Sequence, residues 1–440
     1  MHNVIDQRDT VPDELEQLAT SGFDVDHLRA PVAAAVAAGD LGALAVLGVE
    51  LARAPRRSDW PYEEPSDRRA ILAALDWPAA PPRWRGTVDE LGDRIYGAWL
   101  GRCAGCCVGK PVEGLTPDEV ARYLAAANAQ PLTGYLPLLD PLPAGVSHLN
   151  ESAPVATLGR FTMMPRDDDV DWTIRGLYLL ETYGTAVDTE DIAWEWLDRL
   201  PFTQTYTAER AAYRNLVNGH RPPATATNAN PYREWIGALI RADAWGYAYP
   251  ANPLPAVELA ITDARLSHVG NGIYGEMWAA ALVSVAFTAP DARAALDISR
   301  TWIPPRSRLR AALDRVLELY DSGAPWERAF EVLDGELGHY SWVHTINNAA
   351  YIAAALLWGA GDFTSTVELT VRSGGDTDST GATVGSVFGA MHGPAAIPPQ
   401  WTEPLAGHIH SALRDFDGSA IADLAARTTQ LALGLRTDAV

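Results

Sequence analysis

Two short segments hold residues able to do metal chemistry. Arg166-Asp167-Asp168-Asp169-Val170-Asp171 packs four carboxylates into five residues. Charges so close repel one another. A helix start offsets roughly 0.3–1 kcal/mol per charge, enough for one or two of them. Gly374-Gly375-Asp376-Thr377-Asp378-Ser379-Thr380-Gly381 sets two acids two residues apart, after a glycine pair that frees the backbone and before a run of hydroxyls. Hard oxygen donors of this kind suit Mg²⁺, Mn²⁺ or Ca²⁺. The later ligands of a calcium-binding loop are missing. Taken alone, each segment has a plainer reading. The first fits an acidic cap on a solvated helix, the second a turn with an N-cap. A third segment, Gly105-Cys106-Cys107-Val108-Gly109-Lys110-Pro111-Val112-Glu113, ends a helix near Gly109 and places a Glu after a Pro. Its cysteines read as packing residues, because no partner Cys/His pair has zinc spacing.

These segments must be positioned by helices. Val170, Ile174, Leu177, Tyr178 and Glu181 form one stripe and Gly184 suits a helix stop, so the first acids sit where the chain enters a helix. Helical periodicity runs over 89–108, 116–128, 170–183, 188–199, 207–217, 231–245, 254–264, 272–288, 290–301, 306–321, 325–334, 345–358, 363–372 and 379–392, and strand alternation is scarce. The fold class is all-α. The longest non-helical stretch is 129–166, rich in Pro and Gly, a length that usually signals function. Gly97, Gly101, Gly105 and Gly109 fall four apart, as do Gly381, Gly385, Gly389 and Gly393. Each series forms one ridge of a helix. An interior Gly costs about 1 kcal/mol against Ala. Repeating that cost twice predicts a close-packed central helix pair. Membrane dimerisation is excluded by the nearby Asp93, Arg94, Arg102 and Lys110. Residues 1–55 read as two or three short helices and 56–88 as a Pro/Trp-rich linker with one more. Residues 1–88 are thus an N-terminal extension to a main domain over 89–440.

Composition narrows the partners. Of 440 residues 48% are apolar and 20% charged, a globular balance. A formal charge of −22 repels nucleic acid and anionic membrane, so neither is expected. The start has no basic segment followed by an apolar one, and no run of about 18 apolar residues exists to span a membrane. Cys103, Cys106 and Cys107 are an odd, clustered set, which fits a reducing, cytoplasmic setting better than a disulfide framework. Oligomeric state is left open.

Taken in order, the motifs resemble the ADP-ribosylglycohydrolase family, including the dinitrogenase-reductase-activating glycohydrolases and crystallin-like relatives. The resemblance covers roughly 89–395. It rests on DRIYGAWLGRCAGCCVGKPVEG, then RDDDV, then RLSHVGNGIYGEMWAAA, and most specifically on GGDTDSTGATVGSVFG. It implies a compact orthogonal helical bundle with a dinuclear metal cleft. The implied cofactors are two divalent cations, Mg²⁺ in first place and Mn²⁺ in second. Carried over by motif, the implied ligands are Asp167, Asp168, Asp169, Asp376, Asp378 and Ser379, with Glu113 at a metal or its water. Cys106 stands where the family pattern has Asp, and Asp167 and Val170 where it has Thr. Val170 cannot ligate. The chain therefore resembles a divergent branch of the family.

The expected chemistry is cleavage of a glycosidic bond at the anomeric carbon of an ADP-ribosyl or related ribosyl substrate, through an oxocarbenium-like state. Either Glu113 or Asp168 serves as catalytic base. His268, Asn271, Tyr274, Asn348, Gly374 and Gly375 are candidates to line the substrate. A capping or core role fits His268 as well, and helix bridging fits Asn347 and Asn348. Tyr135 is a candidate cover. The alternatives are a metal-dependent glycoside or nucleoside hydrolase of small-molecule metabolism, favoured by Cys106 and Val170, and a non-catalytic ADP-ribose-binding module.

Overall fold

The computed structural model describes residues 6–77 and 83–437; linker positions 78–82 lie outside them. The described chain is helical almost throughout, with two two-residue strands, His408–Ile409 and Ser419–Ala420. No described helix is long and apolar enough to cross a membrane.

The centre of the fold is the expected pair, helices Val88–Gly109 and Thr377–His392, packed antiparallel. Their glycines face each other in register. A Cβ on Gly101 would lie under 3.0 Å from the Gly385 carbonyl oxygen, and one on Gly385 would meet the Gly101 carbonyl in turn. Gly105 with Gly381 and Gly97 with Gly389 repeat the arrangement, and Gly109 meets the Thr377 carbonyl. The backbones touch, so side-chain packing cannot set the spacing. The first helix starts in a capping box: the Glu90 amide donates to Thr87 Oγ1 at 3.2 Å and the Thr87 amide to Glu90 Oε2 at 2.6 Å. Around the pair pack Asp168–Tyr183, the fully buried Gly270–Ala286, Thr345–Trp358 and Ile421–Thr437.

Two stretches depart from the periodicity reading. The expected helix over 231–245 is a turn followed by a 3₁₀ segment, Ile236–Arg241, and a short helix, Asp243–Ala248. Its backbone bonds go elsewhere: the Ile236 amide donates to the Val343 carbonyl at 2.9 Å and the Thr345 amide to the Glu234 carbonyl at 3.1 Å. Tertiary pairing overrides local propensity here. The C-terminal helix Ile421–Thr437 was not expected at all.

The N-terminal segment forms three helices, Gln7–Thr20, Arg29–Ala38 and Leu41–Leu51, around a small hydrophobic cluster of their own. The Gly39-Asp40 break divides the last two, Gly39 at φ +63° and Asp40 accepting from the Ala43 amide at 2.9 Å. Polar contacts bind this segment to the body. Arg308 Nε bonds Glu64 at 2.9 Å, Gln17 Nε2 donates to Glu234 Oε2 at 2.7 Å, and Arg233 bonds Glu14 at 2.6 Å.

Candidate metal centre

The central pair determines where the acids meet. Being antiparallel, it sets the end of one helix against the start of the other, and Thr377 Oγ1 donates to the Gly109 carbonyl at 2.8 Å. Beyond Gly109 the chain turns through Lys110–Val112 and is tied to the glycine pair. The Gly114 amide donates to the Gly375 carbonyl at 2.9 Å and the Gly375 amide to the Leu115 carbonyl at 2.8 Å. Gly374 and Gly375 have φ of +65° and +68°, and a Cβ on Gly374 would strike the Leu115–Pro117 backbone. Their role in the structure is this close approach. It brings Glu113, Asp376 and Asp378 together, with one carboxylate oxygen from each within 4.8 Å of the others.

The middle segment closes the site. Asp167 caps helix Asp168–Tyr183, accepting from the Asp169 amide at 2.9 Å. Arg102, wholly buried, donates to the Asp169 carbonyl at 3.0 and 2.7 Å and to Asp243 at 2.8 Å, which pins that first turn against the glycine helix. Ser379 Oγ donates to Asp169 Oδ2 at 3.2 Å, joining the tail segment to the middle one. Cys106, Asp167 and Asp169 form a second group with ligand atoms within 4.8 Å. Asp171 turns away to Arg166, at 2.8 Å, and Ser411, at 2.6 Å. Val170 lies in the hydrophobic core.

Six carboxylates thus share one site. Asp167, Asp169, Asp376 and Asp378 are at most 5% exposed, whereas Glu113 and Asp168 are half-buried and are where solvent reaches the cluster. Burial, followed by Asp378, pushes Glu113 well above the ordinary carboxyl range. Burial and then Asp167 does the same to Asp169, and burial and then Asp378 to Asp376. Asp378 is raised by burial and Asp167. Asp168 is pushed up to about 7 by burial and Asp167. Asp167 is the exception. Burial opposes its ionisation, but the ammonium of Lys110, ion-paired to it, holds it below the usual value. The cluster binds protons more tightly than free carboxylates because its members are buried and repel one another's charge. Buried, mutually repelling oxygen donors fit a hard divalent cation.

This gives a stability prediction with a definite sign. The raised carboxyls hold more protons folded than unfolded, so metal-free stability falls as pH rises through the folded values, from about 7 for Asp168 upward. Buried His268 and His344, both held neutral by desolvation, act oppositely, but only below the ordinary histidine value of about 6.5. In EDTA the Tm is therefore expected to be several degrees lower at about pH 8.5 than at about pH 7, with saturating Mg²⁺ or Mn²⁺ closing the gap. A metal-free Tm that rises across this window would contradict the reading.

Four sequence-nominated residues go elsewhere. Asn271 Nδ2 donates to Glu64 at 2.8 Å and Glu234 at 2.9 Å, and Tyr274 donates to the Pro65 carbonyl at 2.5 Å. Both join the polar cluster under the N-terminal extension, and none of these partners belongs to the acidic site. His268 is buried beside Ser267, its Nδ1 2.8 Å from Ser267 Oγ, in the position of a core histidine. Asn348 Nδ2 donates to the Trp342 carbonyl at 2.8 Å and that of His344 at 2.9 Å. Trp342 in turn backs Gly375, so Asn348 supports the site from behind. Tyr135 does not cover it: the ring is buried against Phe161 and Trp401 and its hydroxyl donates to the Trp401 carbonyl. Two site residues went unnominated. Lys110 follows Cys106 by one helical turn, a spacing that could have flagged it. Asn150, which donates to Glu113 Oε2, comes from the long 129–166 loop, where no periodicity points anywhere.

Comparison with known proteins agrees with this architecture. The sequence model of the ADP-ribosylglycohydrolase family matches residues 87–435. Among solved structures, an ADP-ribosylglycohydrolase-related protein complex is similar in fold, with a TM-score of 0.51 and 22% identity, over 78% of this chain and 99% of that one. No curated protein sequence matches. With a family match that spans most of its length and includes the segment that supplies Asp376 and Asp378, the chain belongs to the ADP-ribosylglycohydrolase family.

Proposed function

We propose that this member of a glycohydrolase family is a divalent-metal-dependent enzyme cleaving the glycosidic bond at the anomeric carbon of an ADP-ribosyl or related ribosyl substrate. The observation carrying this reading is the convergence of Glu113, Asp167, Asp168, Asp169, Asp376 and Asp378 from three distant segments into one mostly buried cluster. Glu113, Asp376 and Asp378 would hold Mg²⁺ or Mn²⁺, which when bound lowers the pKa of water and polarises sugar hydroxyls. Asp168 is the better base. It is half-buried, reaches solvent and is pushed up to about 7 by burial and Asp167, whereas Glu113 is engaged by Asn150. It would take the proton of the attacking water, while the anionic walls stabilise positive charge developing at the sugar. Ser379 would orient Asp169 through the hydrogen bond already described.

Cys106 favours a second reading, hydrolysis of a small nucleoside or glycoside, because it departs from the family pattern inside the site. Product analysis separates the two. Incubation with ADP-ribosylated peptides, O-acyl ADP-ribose, nucleosides and simple ribosides is expected to release ADP-ribose from an ADP-ribosyl member of the panel, and EDTA is expected to abolish that release. Release of free ribose or base alone would favour the second reading. Tight ADP-ribose binding with no turnover of any substrate would make the chain a binding module.

A further inference from the structure

The acidic site divides into two groups that differ in what already neutralises them. In the group of Cys106, Asp167 and Asp169, all four carboxylate oxygens have donors from the chain itself. Asp167 Oδ2 is ion-paired to Lys110 Nζ and its Oδ1 accepts the Asp169 amide at 2.9 Å. Asp169 Oδ1 lies 3.5 Å from Arg102 Nη2 and its Oδ2 accepts Ser379 Oγ at 3.2 Å. The third member is a soft thiol, a poor match for a hard cation. In the group of Glu113, Asp376 and Asp378, no side-chain cation among the described residues bonds any of the carboxylates. Glu113 accepts from the neutral Asn150 amide, and Asp378 from the Ser379 backbone at 3.0 Å.

We infer that the Lys110 ammonium takes the place of one of the two cations the resemblance implies, so that the chain loads a single divalent ion on Glu113, Asp376 and Asp378. Cys106 removes one negative charge where the family pattern has Asp, Asp167 adds one where it has Thr, and the buried Lys110 ammonium is ion-paired to that Asp167. A second ion would have to enter beside an ammonium and a guanidinium that already bind its carboxylates, and both cationic side chains are buried, at 8% and 0% exposure. Coulomb repulsion at such range is only weakly screened.

This inference rests on the metal-dependent reading proposed above, and the test separates the two. The full chain is stripped with EDTA, equilibrated with Mn²⁺ and desalted. Manganese per chain is then measured by elemental analysis, and its coupling by electron paramagnetic resonance. Wild type is expected to carry one Mn²⁺ with the six-line spectrum of an isolated ion. The double variant C106D/K110A, which restores the carboxylate and removes the ammonium, is expected to carry two, with a spin-coupled spectrum. K110R, which keeps the charge, is expected to stay at one. Two coupled ions in wild type would overturn the inference while leaving metal-dependent hydrolysis intact. No bound ion at saturating Mn²⁺ would overturn both. A folded double variant that still binds one ion would overturn the role of Lys110. If that variant does not fold, the wild-type count alone decides.

Discussion

Replacing Asp376 with Asn is expected to abolish divalent-cation binding and lower kcat/KM on the order of 10³-fold, the several kcal/mol of transition-state stabilisation a catalytic metal supplies. The fold is expected to survive. Asn has the same shape, and the backbone at this point is held by Gly375, which exchanges hydrogen bonds with Gly114 and Leu115. What is lost is one charge in a site where Asp376 is pushed well above the ordinary carboxyl range by burial and by Asp378. In the absence of metal that charge is repulsive. Metal-free D376N is therefore expected to be at least as stable as metal-free wild type at about pH 8, and its Tm to gain nothing from Mg²⁺ or Mn²⁺. This pairing of results distinguishes a ligand from a structural residue, whose loss lowers stability with or without metal. Differential scanning fluorimetry and steady-state kinetics on one preparation suffice. Near-normal turnover by D376N would place the active site elsewhere.

The sequence displayed the parts of this site that repeat or crowd. Glycines every four residues cost too much to be incidental, and they predicted the central pair correctly. Clustered carboxylates cost too much as well, and both clusters lie where helices begin. Single residues whose meaning comes from tertiary position were not legible. Lys110 stands in the sequence only as one more charge beside the glycine ridge, until the antiparallel pair folds it against Asp167. Asn271 and Tyr274 sit in a motif shared with the family, which suggested substrate contact, but their polar atoms face Glu64, Glu234 and Pro65 across a junction with the N-terminal extension that one strand of sequence does not reveal. The 231–245 stretch failed for a related reason. Its apolar spacing is helical, yet complete burial lets it satisfy its amides on a neighbouring segment instead.

Gly101→Ala is expected to be among the most destabilising single-methyl changes in the molecule, costing about 4 kcal/mol or more, enough to unfold a domain of ordinary stability. The added Cβ would lie under 3.0 Å from the Gly385 carbonyl oxygen, and the atom it strikes is backbone. No rotamer change can relieve that contact. The two helices must part, and the registered contacts on either side, Gly97 with Gly389 and Gly105 with Gly381, loosen with them. Because the same pair sets Glu113 opposite Asp376 and Asp378, any folded fraction is expected to lose metal affinity as well. A displacement of about 1 Å at a catalytic constellation costs about 10²-fold. Gly92→Ala is the control. It lies in the same helix, but its nearest foreign atom to a built Cβ is the Thr429 methyl at 3.8 Å, an ordinary contact. There the methyl is expected to stabilise by about 0.5–1 kcal/mol through helix propensity and a less free unfolded chain. Opposite signs for one chemical change nine residues apart in one helix would show that backbone contact gives the glycines their role. Tm values for Gly101→Ala and Gly92→Ala that move together would show instead that the pair is held by its side chains.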